Sequence, residues 1–226
     1  MGIVDLIFPK SCLGCGRHGK YICSDCIRKV KTPRPVCPFC MRPSINGKVH
    51  SFCHEPLGLD GLISLWQYEG VARKAIINLK YKFALEIAKE ISDYAVPEIE
   101  KRQTFPPKNV VLVPIPLYWY KRNFRGFNQV EEIGRLISIK LNWEFIPNLL
   151  IKSTSTTSQT ELKRQDRIKN LKGVFTPNFV DFPKKYSRKI ILFDDVWTTG
   201  STLKEAARVL KQTGAKKVLG LTLSRG

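Results

Sequence analysis

An apolar run, Ile190-Ile-Leu-Phe193, ends in the paired carboxylates Asp194 and Asp195, passes through Val196 and Trp197 into Thr198-Thr199-Gly200-Ser201-Thr202, and then takes up a helical pattern. A strand, a tight loop and a helix start in that order build a phosphate cradle. The peptide N–H groups of a Gly turn and of a helix N-terminus converge on an anion, and Thr and Ser hydroxyls add further donors. Two acids just before the cradle suit the vicinal hydroxyls of a ribose or a Mg²⁺ ion, both of which prefer carboxylate oxygens.

The elements that must position these groups are legible around them. Leu203, Ala206, Ala207 and Leu210 follow the i, i+3, i+4, i+7 spacing of a one-faced helix, Thr202 and Glu205 have capping-box spacing, and Gly214 is placed to end the helix. Lys217 to Ser224 returns as a strand. The unit is βαβ, with its ligand loop at the carboxyl end of a strand, where open α/β sheets bind ligands. The segment resembles the ribose-phosphate motif of type I phosphoribosyltransferases, which use 5-phosphoribosyl 1-diphosphate and Mg²⁺. The resemblance implies that Asp194 and Asp195 meet the ribose hydroxyls and that Thr198, Thr199, Gly200, Ser201 and Thr202 hold the 5-phosphate. Trp197 stands where a smaller aliphatic residue is usual.

A second chemistry lies near the N-terminus. All seven Cys residues occur by position 53, as the C-x-x-C pairs Cys12/Cys15, Cys23/Cys26 and Cys37/Cys40 plus Cys53. Such a pair grips one face of a tetrahedral ion. His50-Ser-Phe-Cys53 has the same spacing and completes eight donors, enough for two zinc ions. Taken consecutively, Cys12, Cys15, Cys23 and Cys26 form one site, and Cys37, Cys40, His50 and Cys53 the other; a cross-braced pairing would use the same residues. Seven residues separate the first two pairs and nine separate Cys40 from His50, which favours the consecutive assignment. His18 and His54 belong to no pair and read as surface residues. Gly14 to Gly19 matches G-x-G-x-x-G only literally, since no strand precedes it and its glycines alternate with metal donors.

The chain has 226 residues and is 43% hydrophobic, which suits one core with an appended module: a zinc-binding module over 1–57 and an α/β domain over 58–226. Against 19 acidic residues stand 38 Lys and Arg, a formal charge of +19, which points to a polyanionic partner such as nucleic acid. The apolar patch Ile3 to Phe8 is interrupted by Asp5 and followed by Pro9, too short for a signal peptide or membrane anchor. A cytoplasmic location is expected, where clustered Cys residues bind metal rather than pair as disulfides.

Between the two chemistries, Leu59 to Tyr68 reads as a strand and Val71 to Val96 as one helix with the stripe Ile76, Leu79, Phe83, Ile87 and Ile91. Pro97, Pro106 and Pro107 mark a polar connection. Val110 to Pro116 reads as a buried parallel strand. Lys121, Arg122, Arg125, Gly126, Phe127 and Asn128 then precede a helix carrying Val130, Ile133, Leu136, Ile137 and Leu141, a second anion site by the logic of the first. Residues 152–170 are polar, with Thr156, Thr157, Gln159, Lys163, Arg164, Arg167 and Asn170, as expected of a loop that closes over a charged ligand.

Over nearly its whole length the chain resembles the ComF family of competence proteins. The likeness rests on Asp5-Leu-Ile-Phe-Pro9 before Cys12, Tyr68-Glu-Gly70, Leu79-Lys-Tyr81, Val113-Pro-Ile-Pro116, Arg125-Gly-Phe-Asn-Gln129, Gln159 with Arg164 and Asn170, and Asp194 to Thr202. It implies a double-zinc-ribbon-like N-terminus with about two zinc ions, joined to a type I phosphoribosyltransferase-like, mostly parallel sheet with flanking helices. It further implies binding of 5-phosphoribosyl 1-diphosphate and Mg²⁺, with Asp194, Asp195 and Arg164 as catalytic residues and Arg122 and Arg125 as further ligand contacts. Pro114 to Tyr120 would occupy the diphosphate-loop position and residues 152–175 the catalytic loop. Single-stranded DNA and a competence helicase-type protein are the implied partners, without membrane insertion. Transfer of the phosphoribosyl group to a base or amine is the alternative activity. His50 replaces the family's usual Cys and keeps a zinc-competent donor.

Overall fold

The computed structural model describes residues 9–79, 84–102, 109–120, 126–153, 173–178 and 189–226. In chain order its helices and strands are α1 (Ser24–Arg28), β1 (Gly61–Gln67), α2 (Gly70–Asn78), α3 (Ala84–Glu100), β2 (Val110–Pro114), α4 (Gln129–Leu141), β3 (Glu144–Phe145), β4 (Leu150–Lys152), β5 (Phe175–Pro177), β6 (Lys189–Trp197), α5 (Ser201–Gln212) and β7 (Lys217–Arg225). Two short 3-10 turns, Ile45–Gly47 and Ser51–Cys53, lie in the Cys-rich segment.

β1, β7, β6, β2 and β3 form a sheet in that order, parallel at every pairing, while β4 and β5 make a separate antiparallel pair. A parallel sheet needs cover on both faces, and the central stretches of its long strands are accordingly apolar. β2 is buried along its length. Ile191, Phe193, Leu112 and Leu221 pack with Ile76, Ile91 and Ile133 of α2, α3 and α4, whereas Ile190, Leu192, Val111 and Val113 pack with Ala206, Ala207 and Leu210 of α5. The alternation follows from the two-residue period of a strand. In the outer pair, Ser64 Oγ and Thr222 Oγ1 lie 2.8 Å apart, satisfying each other inside the sheet.

Two expectations for the middle of the chain change. The periodic run from Val71 is two helices, since α2 ends at Asn78, whose side-chain amide donates to the Lys74 carbonyl at 2.8 Å. Asn residues compete in this way with the helical ladder. The stripe stays in phase across the break, so Ile76, Leu79, Ile87 and Ile91 are all buried in one core; Phe83 lies outside the described residues. Pro97 does not start a connection but sits inside α3, which runs to Glu100. In the final turns a Pro removes one N–H donor without breaking contacts beyond it, and Lys101 N–H still donates to the Pro97 carbonyl at 3.2 Å.

The Cys-rich segment shares its core with the sheet-bearing part. Cys12, Tyr21, Ile22, Ile27 and Val30 are buried with Trp66, Val71, Ile87 and Ile91. Glu90 of α3 accepts from the N–H groups of Ile22 at 2.7 Å and Tyr21 at 3.2 Å, and the Tyr94 hydroxyl donates to the Ile22 carbonyl at 3.1 Å. The second half of the segment covers the outer edge of β1: Lys48 bridges Gly61, and Val49 N–H donates to the Asp60 carbonyl. Gly47, at φ +72°, is required there, because a Cβ would lie 2.0 Å from the Leu62 carbonyl oxygen. Covering an edge strand removes a template for unwanted pairing.

Candidate functional site: a cradle after β6 and two sulfur quartets

β6 carries Asp194 and Asp195 to the carboxyl end of the sheet, and the chain turns through Thr198 and Thr199 into α5. Asp195 N–H donates to Asp194 Oδ1 at 2.9 Å and Val196 N–H to Asp195 Oδ1 at 2.7 Å, so each acid is held by the amide that follows it. Burial, then the charge of Asp195, push the Asp194 carboxyl well above the usual carboxylate range, with Lys152 acting in the opposite direction. Two acids this close resist full ionisation until a cation or a hydroxyl donor arrives.

Gly200 caps α5 in the left-handed region, φ +73°, and a Cβ there would lie 2.1 Å from the Trp197 indole. Backbone angle and packing both demand Gly. The departure at Trp197 thus has a structural role: its ring, 1% exposed, forms the floor under the loop. Thr199 Oγ1 and Ser201 Oγ stand 2.8 Å apart. No acidic residue occupies the first turn of α5, whereas Glu131 and Glu132 occupy that of α4. The positive end of α4 thus meets two first-turn carboxylates, and that of α5 meets none from its own first turn.

The expected capping box is not made. Glu205 instead accepts from Gly173 N–H at 2.8 Å and pairs with Arg208 at 2.7 Å, so this side chain ties the β4–β5 pair to the helix behind the cradle. Asn128, read from sequence as part of the second anion loop, caps α4 by accepting from Val130 N–H at 3.1 Å and donates its amide to the Ile115 carbonyl at 3.1 Å. Lys121, Arg122, Arg125 and Arg164, with the polar run 154–170, lie outside the described residues. Tyr118, Trp119 and Tyr120 end the described part of the segment after β2 as neighbouring rings with centroids 5.6 and 5.9 Å apart.

The metal-type donors come together as the consecutive assignment expects. Cys12, Cys15, Cys23 and Cys26 form one group, and Cys37, Cys40, His50 and Cys53 another, the donor atoms of each lying within 4.8 Å of one another. Zn–S bonds of about 2.3 Å place sulfurs about 3.8 Å apart in a tetrahedron, and Cys15 Sγ and Cys23 Sγ stand at 3.7 Å. Burial raises the Cys12 thiol, but the peptide N–H groups of Cys15, Cys23 and Gly14 outweigh it and bring it down to about 6. Cys26, hydrogen-bonded to Cys23, is pushed up to about 12. The same pattern, with Cys37 at about 7 and Cys53 at about 11, recurs in the other.

His50 Nδ1 lies 3.4 Å from Cys40 Sγ, and Nε2 lies 3.1 Å from the Pro43 carbonyl. A carbonyl accepts only, so Nε2 carries the proton and Nδ1 is the free donor turned to the sulfurs. His18 contacts Ser11 Oγ at 3.1 Å and joins neither group. Both groups thus fit a tetrahedral, thiolate-binding ion.

A contact far apart in sequence links a sulfur quartet to the cradle. Phe39, between Cys37 and Cys40, lies under the ammonium of Lys204 at 5.2 Å, and that ammonium stands 5.9 Å over the Trp197 ring. The stack therefore runs from the Cys37/Cys40 knuckle through α5 to the floor of the Gly200 loop.

Among protein families, the double zinc ribbon domain matches residues 3–55. The DNA utilization protein YhgH of Escherichia coli is 30% identical over 206 residues, 87% of each chain. Competence protein F of Haemophilus influenzae is 29% identical over 95% of this chain and 90% of its own, and competence protein ComFC of Streptococcus pneumoniae 26% identical over 90% and 87%. A solved adenine phosphoribosyltransferase from Leishmania donovani aligns with 62% of the chain at 16% identity and a TM-score of 0.35, too slight a likeness to argue from.

Proposed function

The chain belongs to the ComF family of competence and DNA-utilization proteins, and from that premise we propose that it binds 5-phosphoribosyl 1-diphosphate with Mg²⁺ and holds single-stranded DNA during DNA uptake. The observation that carries the ligand reading is the β6–α5 loop, with its paired acids, left-handed Gly200 and a helix start without first-turn acids. In this reading the peptide N–H groups from Gly200 onward and the hydroxyls of Thr198, Thr199, Ser201 and Thr202 hold the 5-phosphate. Asp194 and Asp195 accept from the ribose hydroxyls or hold the Mg²⁺, whose charge offsets their mutual repulsion. Arg122 and Arg125 draw in the diphosphate, and Arg164 assists its departure if transfer occurs. The sulfur quartets hold two zinc ions that stabilise a segment too short for a core of its own.

DNA binding is supported by the +19 charge and by the naming of the relatives for competence and DNA utilization. No helix among the described residues is long and apolar enough to cross a membrane. We place the protein in the cytoplasm, as a cysteine-rich zinc-binding module over 1–57 and a phosphoribosyltransferase-like domain over 58–226.

Calorimetric titration with 5-phosphoribosyl 1-diphosphate, with and without Mg²⁺, tests the ligand reading. Metal-dependent binding that Asp195→Asn abolishes is the expected result, and no binding in either condition refutes it. Diphosphate release in the presence of a nucleobase panel would make the protein a transferase. Affinity for oligothymidylate should fall about tenfold or more across a roughly fourfold rise in salt; binding indifferent to salt rules out the backbone-phosphate reading.

A further inference from the structure

The Cys-rich segment and the edge of the sheet enclose a cavity of about 140 Å³, lined by Pro33, Arg34, Val36, Ser64, Arg102 and Arg225 among others. Its lining shares no residue with the β6–α5 loop. Four of the lining side chains are cationic, the fourth being Lys101, and among the described residues none is acidic. Lys101 is paired with Glu98 outside the cavity at 2.7 Å. The Nη2 atom of Arg102 is buried and has no hydrogen-bond partner among the described residues. Burial alone holds the Arg225 guanidinium below its ordinary range.

Arg34 is exposed while Arg102 and Arg225 are half-buried, and a guanidinium partly withdrawn from water normally sits against a carboxylate, because desolvating a cation without an anion is costly. A buried donor left over calls for an unseen acceptor. The cavity is far larger than the roughly 10–15 Å³ that one water requires, so a tetrahedral oxyanion fits. Guanidinium donors in a planar fork match the oxygens of a phosphate, which they bind in pairs and more strongly than neutral donors do. From the absence of a carboxylate among the described lining residues and the orphaned Arg102 nitrogen, we infer that this cavity is a phosphate-binding site formed by Arg102, Arg225 and Arg34 between the cysteine module and strand β1. Its wall from the module is Pro33 to Val36 and its wall from the sheet is Leu62 to Ser64. A phosphate held there bridges the two parts of the molecule. The phosphate is either that of a small phosphomonoester or one of a nucleic-acid backbone.

Titration of the full-length, zinc-loaded protein with inorganic phosphate tests the site, comparing wild type with Arg102→Gln, Arg102→Lys and Arg225→Gln. Circular dichroism and zinc content identify any variant that fails to fold. Arg102→Gln should bind phosphate at least tenfold more weakly and Arg102→Lys should recover part of the loss. Arsenate or tungstate soaked into crystals should give a peak between Arg102 and Arg225. Competition with glycerol phosphate and with oligothymidylate then separates the sources: displacement by the monoester alone marks a free ligand, whereas displacement by the oligonucleotide, with its affinity reduced in the same variants, marks a backbone phosphate. Phosphate affinity equal in wild type and folded Arg102→Gln, or no phosphate binding to the wild type, overturns the assignment.

Discussion

The proton on His50 Nε2 is fixed by a single carbonyl, that of Pro43, and this decides which ring nitrogen faces the sulfurs. His50→Ala should therefore lower the zinc content from about two ions per chain to about one, whereas His50→Cys should retain two, as measured by elemental analysis. Retention of two by the Ala variant would show that another donor completes the quartet. At Asp194 the sign of a pH effect follows from the raised carboxyl. A group whose folded pKa lies above its unfolded value destabilises the fold once ionised, and the penalty disappears below the unfolded value near 4. Asp194→Asn should raise the melting temperature of the ligand-free protein at pH 8 and much less at pH 4; an equal gain at both would trace the effect to packing. The donor types and spacings of both chemistries were legible in sequence because C-x-x-C, H-x-x-C and the Asp-Asp to Thr run are local patterns. The role of Trp197 was not, since its reason lies in a contact with Gly200 that only the loop conformation creates.

For the elements, α5 is where local signals and tertiary structure diverge most. Its apolar face followed from periodicity, and Ala206, Ala207 and Leu210 are buried as that pattern requires. Its start did not, because Glu205 is drawn away from the helix end by Gly173 and Arg208, one of them far off in sequence. The same limit hid the break after Asn78, where a helical stripe continued in phase through two helices. The contact of Phe39 with Lys204 makes the Cys37/Cys40 knuckle a support for the cradle. Loss of one cation–π contact of about 0.5–1 kcal/mol should make Phe39→Ala bind 5-phosphoribosyl 1-diphosphate about two- to fivefold more weakly with both zinc ions in place. Unchanged affinity would mean that α5 holds the loop without help from the knuckle.

On the scale of the whole molecule, composition correctly suggested a compact cysteine module followed by an α/β part, but not how they meet. The residues that join them, Glu90 and Tyr94 on one side and the backbone of Tyr21 and Ile22 on the other, are about seventy positions apart and carry no motif. Removing residues 1–57 would uncover Trp66, Val71, Ile87 and Ile91 together. That truncated chain should be insoluble or lack a cooperative thermal transition, checked by differential scanning calorimetry; a sharp transition at the full-length temperature would show that the sheet stands alone. The recognisable ribbon ends near residue 55, yet the unit that folds does not end there. A ribbon transplanted from a distant relative would arrive without its matching half of the joint, so inheritance and engineering alike must move the Glu90–Tyr94 face of α3 with it.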